Sequence, residues 1–247
     1  MTASIAFEPS LHAQAVLRLG DTCLIWSHRL SEWCGHAPVL EEDIALANVA
    51  LDLLGQARAL LTHAAQLSGG QLDEDQLAYL RDERQFFNVT LAELPRHDFA
   101  HTIVRNHWLS CWAVQQGQAL QHSSAAHLAA IAGKAAKEAR YHREHNADWV
   151  VRLGDGTEES QLRMNAAVQA LWPYAAELFD DDAVERNAAE QHLAPLWSSL
   201  LPAWLADVNA TFIDAHLSLP PPTAFQSHGK RGRHSEHMGP LLAQMQI

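Results

Sequence analysis

Sixteen histidines and twenty-nine acidic residues give this chain many side chains of the kinds that bind metal ions. A carboxylate-bridged di-iron centre in a helical bundle takes Glu-x-x-His from two helices and a Glu from each of two others, because positions i and i+3 lie on one helix face. No Glu-x-x-His occurs in the sequence, and the nearest match is Asp98-Phe-Ala-His101. The spacing therefore argues against an iron pair held by this motif.

Acid and histidine do occur four residues apart, in Glu93 with His97 and in Glu138 with His142. On helix surfaces such pairs are usually solvated and contribute only a few tenths of a kcal/mol. Glu138, His142 and His145 together are also a candidate metal set, but the charged run around them, Lys137–His145, is typical of an ordinary helix face. We favour the structural interpretation in both places.

Other classes of enzyme and of metal site lack their motifs here. The sequence has no G-x-S-x-G, no Walker loop and no G-x-G-x-x-G. Cys23, Cys34 and Cys111 are isolated, so neither a zinc site nor a disulfide framework is indicated, and we expect a cytoplasmic protein. Because no run of about 18 uncharged apolar residues exists and the start lacks a basic region, we expect neither a membrane span nor a signal peptide.

The net charge of −12 makes nucleic acid and anionic lipid unsuitable as general partners, because an acidic surface repels them. Positive charge is concentrated in residues 218–247, which contain three basic residues and a single acidic one. That segment therefore carries +2 and the remainder of the chain −14. Three consecutive prolines stiffen its start, so we expect this tail to stay extended as far as about Pro240 and to wrap a surface rather than join the core.

Apolar residues recur at helical spacing almost throughout, and the alternating pattern of strands is missing. The predicted fold is all-α, a bundle of long helices whose short connections place successive helices antiparallel. We expect the bundle over residues 1–217 and the extended tail over residues 218–247. The predicted helices, separated by glycine and proline, span roughly 10–33, 40–67, 73–92, 97–121, 125–152, 158–179 and 183–216.

Several stretches carry a resemblance to one known family, and the strings GHAP, ALDLLGQAR and HSEHMGP are the most specific of them. From about Leu17 to Gln246 the chain is similar to the structural C subunits of bacterial ring-1,2-phenylacetyl-CoA epoxidases. The resemblance implies a ferritin-like bundle that pairs with a homologous catalytic A subunit. In that family the A subunit holds the di-iron centre, and a separate flavin and iron–sulfur reductase supplies electrons.

The same resemblance implies that this chain has lost the iron ligands of its catalytic sister, whose D-E-x-x-H and K-E-E-x-x-H motifs fall on residues 52–56 and 137–142. Leu53 and Ala139 stand at the ligand glutamates, and Gln56 replaces a histidine. Two iron ions need several anionic oxygens, so no metal, cofactor or catalytic residue is expected in this chain. The positions of the degenerate site are Asp52, Leu53, Gln56, Ser110, Glu138, Ala139 and His142.

The expected role is that of a non-catalytic scaffold that binds the catalytic A subunit, and homo-oligomer contacts are expected as well. By resemblance, a groove for a CoA thioester is predicted at Gln85, Phe86, Phe87 and Asn88. Docking of the tail on the partner is predicted at Lys230, Arg231, Arg233, His234, Glu236 and His237.

Two alternatives remain open. One is an oxygenase active by itself, with an unorthodox site built from Asp52, Glu138, His142 and Asp21. The other is a free-standing helical protein that binds CoA thioesters, with the basic tail on the phosphates. Iron content separates the scaffold from the oxygenase, and co-purification with a catalytic partner separates it from the free-standing binder.

Overall fold

The computed structural model describes Ile5 and residues 7–246, so the outer limits of the predicted domains, at residues 1 and 247, lie outside the described residues. The described part of the chain is helical and contains no strand, which confirms the all-α prediction. Short 3-10 turns lie at Glu83–Gln85, Ala176–Phe179, Trp197–Leu200 and Gly229–Arg231. The α-helices are α1 (Leu11–Ser31), α2 (Leu40–Leu67), α3 (Glu74–Tyr79), α4 (Thr90–Glu93), α5 (Phe99–Leu120), α6 (Ala126–Gly154), α7 (Glu158–Ala175), α8 (Ala183–Glu190), α9 (Leu201–Asp214) and α10 (Met238–Met245).

Polar side chains just before the first turn explain where several helices begin. The Ser10 hydroxyl accepts from the backbone N–H of Ala13 at the start of α1, and the Asp98 carboxylate accepts from that of His101 at the start of α5. Thr157 and Ser160 form a reciprocal capping box at α7. Each cap satisfies a backbone donor that has no partner inside its helix.

Two predicted helices are interrupted in the structure. The segment 73–92 holds α3, the 3-10 turn Glu83–Gln85 and most of α4, and Arg81 turns inward after α3 and donates to the carbonyl of Leu77. The segment 183–216 is divided into α8 and α9, since His192 adopts a positive φ of 55° and Pro195 lacks the N–H that a continuing helix needs. The tail is less extended than expected, with a 3-10 turn at Gly229–Arg231 and a helix that begins at Met238.

The chain divides into two compact units, and this division differs from the predicted one at residues 217 and 218. The first unit takes the described residues within Met1–Pro95, Asp182–Gln191 and Ser227–Ile247. In it α1 packs along α2 and also contacts α4 and α8, and α10 packs on the Glu83–Gln85 turn. Three separate stretches of sequence therefore build one core.

The second unit consists of Arg96–Asp181 and His192–Gln226. Its centre is the pair α5 and α6, against which α7 and α9 pack. The two central helices approach closely at Gly117, where an added Cβ would lie 3.0 Å from the Cβ of Ala136. Aromatic side chains fill the core, and the indole of Trp204 donates to the carbonyl of Trp108 at 2.9 Å.

Among the described helices, α2 alone has the length and the apolar composition that would allow it to cross a membrane. Core helices of soluble proteins satisfy the same criterion, so this is a weak indication. The first turn of α2 carries Glu41, Glu42 and Asp43, and one face of the helix is buried against α1. The acidic first turn and the face packed on α1 show that the apolar composition of α2 does not require a lipid environment.

Candidate functional site

In the first unit, the expected positions lie on α2, and no carboxylate stands at Leu53 or Gln56, where the resemblance expects ligands. Leu53 is buried and aliphatic. Gln56 is half-buried, and its amide oxygen lies 3.8 Å from the Sγ of Cys23. Asp52, the adjacent acid, is half-buried on the same helix. The local chemistry here is that of a helix packed through aliphatic and weakly polar groups.

In the second unit, the remaining ligand positions lie on α5 and α6. Ser110 is buried, and its hydroxyl donates to the carbonyl of Asn106. The side-chain amide of Asn146 donates to the carbonyl of His142 at 2.6 Å and reaches the Ser110 hydroxyl at 3.4 Å. Ala139 is buried as well. Hydrogen bonds between neutral groups therefore occupy these positions.

The carboxylate of Glu138 is engaged at the helix surface, where the Nζ of Lys134 lies 3.4 Å from its Oε1. Leu53, Gln56 and Ala139 replace ligand side chains that the resemblance expects, whereas His142 keeps its expected imidazole and is buried. Within the described part of the chain, no three or more His, Cys, Asp or Glu side chains are grouped so that they could hold a metal ion. The donor set at these positions does not fit a di-iron centre, because Leu53 and Ala139 supply no anionic oxygen and the carboxylate of Glu138 is paired with Lys134.

Asp21, a further candidate of the oxygenase alternative, is fully buried and fully engaged. Its two carboxylate oxygens accept from the Nη1 and Nη2 of Arg81 at 3.0 and 2.5 Å. The backbone N–H of Phe87 donates to the same carboxylate at 2.9 Å. This bidentate pair joins α1 to the segment after α3, and the charge of Arg81 balances that of Asp21.

A second group of charges, which we call the Arg18 cluster, consists of the buried Arg18, Glu185 and Lys230 together with Asp182 and Arg231, which are partly exposed. Arg18 donates to both oxygens of Asp182, at 3.0 and 2.8 Å, and to Glu185. The Nζ of Lys230 lies 3.3 Å from Glu185, and Arg231 donates to Asp182 at 3.0 Å. Burial opposes ionisation of Asp182, but the hydrogen bonds and charge of Arg18 outweigh it and lower the pKa of this acid.

A third group, the Glu93 cluster, consists of Glu93, Asn88, His234, Ser235 and Arg29. The carboxylate of Glu93 accepts from the amide of Asn88 at 2.8 Å and from the backbone N–H of Ser235 at 2.6 Å. Arg29 donates to the backbone carbonyl of Glu93 at 2.7 Å. Glu93 is fully buried, so the expected solvated surface pair with His97 is wrong.

Both ring nitrogens of His234 face acceptors in this cluster. Nδ1 lies 2.6 Å from the carboxylate of Glu93, and Nε2 lies 3.0 Å from the carbonyl of Phe86. An imidazole satisfies two acceptors only when both nitrogens carry protons. Burial alone would lower the pKa of His234, but the hydrogen bond and charge of Glu93 outweigh it and raise this pKa above its ordinary value.

The segment predicted to line a CoA groove lies mostly in the interior. Phe86 is fully buried, with the Arg81 guanidinium 4.2 Å from its ring centroid, and Asn88 is fully buried on Glu93. Phe87 and Gln85 are half-buried, and the Gln85 amide donates to the carbonyl of Ile5 at 3.0 Å. Phe86 and Asn88 present no surface to a ligand, and the CoA groove stays a prediction.

One cavity of about 1140 Å³ brings Gln85 together with several residues of the predicted docking tail. Gly232 approaches the backbone carbonyl of Arg84 so closely that a side chain would clash, and it adopts a φ of 72°, which favours glycine. We call this space the arginine cavity. Its lining residues are Asp82, Glu83, Arg84, Gln85, Arg231, Gly232, Arg233 and His234.

The predicted docking residues of the tail differ in exposure. Lys230 and the side chain of His234 are buried in the Arg18 and Glu93 clusters. Arg231, Arg233 and Glu236 are exposed, and His237 is half-buried. Docking on a partner stays a prediction. The pairing of the tail with Glu185 and Glu93 could not be predicted from local spacing, because the paired residues lie far apart in the sequence.

Comparison with known proteins agrees with the resemblance seen in the sequence. The family model described as phenylacetic acid catabolic protein matches residues 4–247. The C subunit of the 1,2-phenylacetyl-CoA epoxidase of Escherichia coli (strain K12) is 50% identical over 230 residues, which cover 93% of this chain and 92% of that protein. The predicted resemblance is confirmed, and the chain belongs to the phenylacetic acid catabolic protein family.

Proposed function

We propose that this chain is the non-catalytic scaffold subunit of a multicomponent phenylacetyl-CoA epoxidase in the cytoplasm. In this proposal it binds and supports a catalytic A subunit that holds the di-iron centre. The proposal rests on the side chains that occupy the expected ligand positions. Leu53 and Ala139, both buried, stand where the resemblance expects ligand glutamates.

The neutral side chains at Ser110 and Asn146 support a lost iron site rather than an altered one. Iron ions held in a protein interior need anionic oxygens to balance their charge. The hydroxyl of Ser110 and the amide of Asn146 are neutral, and their hydrogen bonds go to groups of their own helices and to each other. Such a constellation stabilises helix packing and has no charge to offer a metal.

The test uses the full chain, alone and co-expressed with the catalytic subunit. After anaerobic loading with ferrous iron and desalting, we expect substoichiometric iron in the chain alone, and we expect the co-expressed pair to elute as one species. A di-iron complement in the chain alone that is lost in Glu138→Ala would contradict the scaffold role and favour the oxygenase alternative.

The arginine cavity favours a second candidate function, the binding of the phosphates of a CoA thioester. Arg84, Arg231 and Arg233 all line it, and Arg84 and Arg233 are exposed. Guanidinium groups recognise phosphate through paired hydrogen bonds. Asp82 and Glu83 line the same cavity and oppose an anion. The observation therefore supports contact with a phosphate at the arginine side only.

Isothermal titration of the full chain with CoA checks this candidate. Binding that weakens about tenfold in Arg233→Ala, as expected for loss of one charge-assisted contact, supports it. Arg163→Ala is the matched control, since Arg163 is an exposed arginine in the second unit that pairs with Glu159. Equal affinities of the two variants would reject the cavity as a CoA site.

A further inference from the structure

The second unit contains an apolar cavity of about 580 Å³ that none of the expected ligand positions lines. Its walls come from the end of α7, the 3-10 turn Ala176–Phe179, the helix α9 and the proline-rich residues 219–225. We call residues 219–225 the proline strap. Small-molecule sites in proteins have volumes of roughly 300–1,000 Å³, so this cavity has the size of a ligand site.

The proline strap is held in place at two points. The indole N–H of Trp172 donates to the backbone carbonyl of Pro221 at 2.9 Å. Further along, the rings of Tyr174 and Phe225 pack edge to face with their centroids 5.3 Å apart. The prolines themselves restrict the backbone between these points. The wall of the cavity is therefore formed before a ligand enters, and little ordering opposes binding.

Aromatic rings line the interior of the cavity. Phe179 and Trp204 lie with their ring centroids 5.1 Å apart and their planes at 59°, and Trp172 lines the cavity as well. Both indole N–H groups are already engaged, that of Trp172 with the strap and that of Trp204 with the carbonyl of Trp108. The indoles thus offer ring surface to a ligand. Because aromatic rings stabilise one another in offset or edge-to-face contacts, such walls suit an aromatic ring.

Two polar side chains besides the indoles line the cavity, Asn209 and Thr223, and both are exposed. The hydroxyl of Thr223 accepts from the backbone N–H of Phe225 at 3.1 Å and can still donate its own proton. No lining residue is charged. A charged group would lose its hydration here without gaining a partner, and the net charge of −12 also repels anions.

We propose that this cavity binds a neutral, planar aromatic molecule. The ring system lies among Phe179, Trp204 and the proline strap, and a hydroxyl or amide substituent hydrogen-bonds with Asn209 or Thr223 at the exposed side. The phosphates of a CoA thioester would find no cation in this lining. The site goes beyond the scaffold role and beyond the arginine cavity, and it depends on neither.

Isothermal titration of the full chain with β-naphthol tests the proposal. We expect a dissociation constant on the order of 100 µM, as for a small ligand bound through apolar contacts and one hydrogen bond. The matched control ligand is β-naphthalenesulfonate, which has the same rings but carries a permanent negative charge. It should bind at least about tenfold more weakly, because its charge loses hydration in the cavity.

A substitution that fills the cavity assigns the binding to this place. Ala176 lines the cavity and is exposed, so Ala176→Phe adds a ring there without disturbing the core. We expect the affinity for β-naphthol to fall about tenfold or more. The matched control is Ala203→Phe, since Ala203 is an exposed alanine of α9 that does not line the cavity. This control should bind like the wild type.

A second variant keeps the proposal testable if Ala176→Phe does not fold. Phe179→Leu keeps an apolar side chain but removes one aromatic wall, so the affinity should fall about fivefold while circular dichroism stays unchanged. Wild-type affinity in both folded variants would overturn the proposal. The absence of any heat with β-naphthol in the wild type, or equal binding of the sulfonate, would overturn it as well.

The same titration is repeated on the chain co-expressed with the catalytic subunit. Binding that persists there supports a ligand site in the assembled protein, whereas its loss would show that the partner covers the cavity and would overturn the proposal. None of these outcomes changes the iron content of the chain or its elution with the catalytic subunit. The proposal and the scaffold role can therefore fail independently.

Discussion

The interiors of the two compact units are stabilised by different chemistry. In the first unit, buried charges of opposite sign meet in the Arg18 cluster, in the Glu93 cluster and in the pair of Asp21 with Arg81. In the second, indole and phenyl rings dominate, with Trp108 and Trp204 at 6.1 Å and Phe179 and Trp204 at 5.1 Å between ring centroids. A titratable ring, the imidazole of His107, is buried among them.

This difference follows from how each core is assembled. The Arg18 cluster joins three stretches of sequence, through Arg18, Glu185 and Lys230, so a misplaced stretch would leave a charge buried without its partner. A buried charge without its partner is costly, so buried ion pairs strongly disfavour wrong pairings of segments. Burial of aromatic rings is also strongly stabilising, but it selects less strictly which segments pack together. The tail therefore contributes to the fold of the first unit whatever else it binds, because its Lys230 is buried against Glu185.

The largest expected effect comes from Glu185→Gln, which leaves Arg18 and Lys230 buried beside a neutral side chain. Loss of one partner from a buried ion pair destabilises a protein by about 3–5 kcal/mol. We expect a loss of this size in urea unfolding followed by circular dichroism. The matched control is Glu159→Gln, whose pair with Arg163 is exposed and screened by water, so the change should have little effect on stability. Equal effects of the two changes would show that the cluster is not a structural centre.

Acid should weaken the second unit through His107. Burial, and then the charge of Arg143, lower the pKa of His107 to about 3 from 6.5. Because the unfolded state binds this proton more readily, stability is lost as the pH falls below 6.5, by about 1.4 kcal/mol for each pH unit until the folded pKa is reached.

His107→Phe removes this titration and keeps an aromatic ring in place. The difference in unfolding free energy between variant and wild type, measured from pH 7 to pH 4, should therefore move in favour of the variant as the pH falls. A difference that stays constant over this range would contradict the assignment of a buried neutral imidazole.

Alkali should weaken the first unit through His234. Its folded pKa is raised, so the stabilisation by Glu93 is fully present below the ordinary value of 6.5 and is lost as the pH rises through the raised pKa. Below pH 6.5, His234→Gln should lose about 2 kcal/mol, the contribution of a hydrogen bond between charged groups. Melting curves of the wild type and of His234→Gln across pH 6 to 10 measure the loss in the variant at low pH and the loss of stability in the wild type as the pH rises.

The control for His234 is His216→Gln, since His216 pairs with Asp155 where both side chains are about two-thirds exposed. It should leave the pH profile unchanged, because water screens the pair. If the two variants show the same profile, the pairing of His234 with Glu93 does not stabilise the tail.

The smallest expected effect distinguishes two indole groups of the second unit. The N–H of Trp204 donates to the carbonyl of Trp108 at 2.9 Å, whereas the buried N–H of Trp108 has no hydrogen-bond partner among the described residues. Trp204→Phe should therefore cost about 1 kcal/mol more than Trp108→Phe in urea unfolding. The opposite order would indicate that ring volume alone decides the effect.

Local patterns were enough to predict the helical class and the bounds of most long helices. Helical spacing predicted long helices that agree closely with α1, α2, α5, α6 and α7, because periodic burial and capping act within a few residues. The assignment of Leu53 and Ala139 as replaced ligands came from the resemblance, through two motifs of the catalytic sister, and it stays a prediction. What each side chain contacts could not be obtained in this way.

The residue types alone exclude a bridging carboxylate at positions 53 and 139, since a leucine or an alanine cannot supply one in any fold. Only tertiary structure decides which charges meet. Glu93 with His97 and Glu93 with His234 are equally allowed by composition, yet the buried pair spans 141 residues. Arg18 reaches the carbonyl of Lys230 across 212 residues. When distant stretches of sequence pack together, a charge that is buried without a partner costs free energy, and this cost determines which charges pair. The local periodicity of the sequence contains no information about that cost.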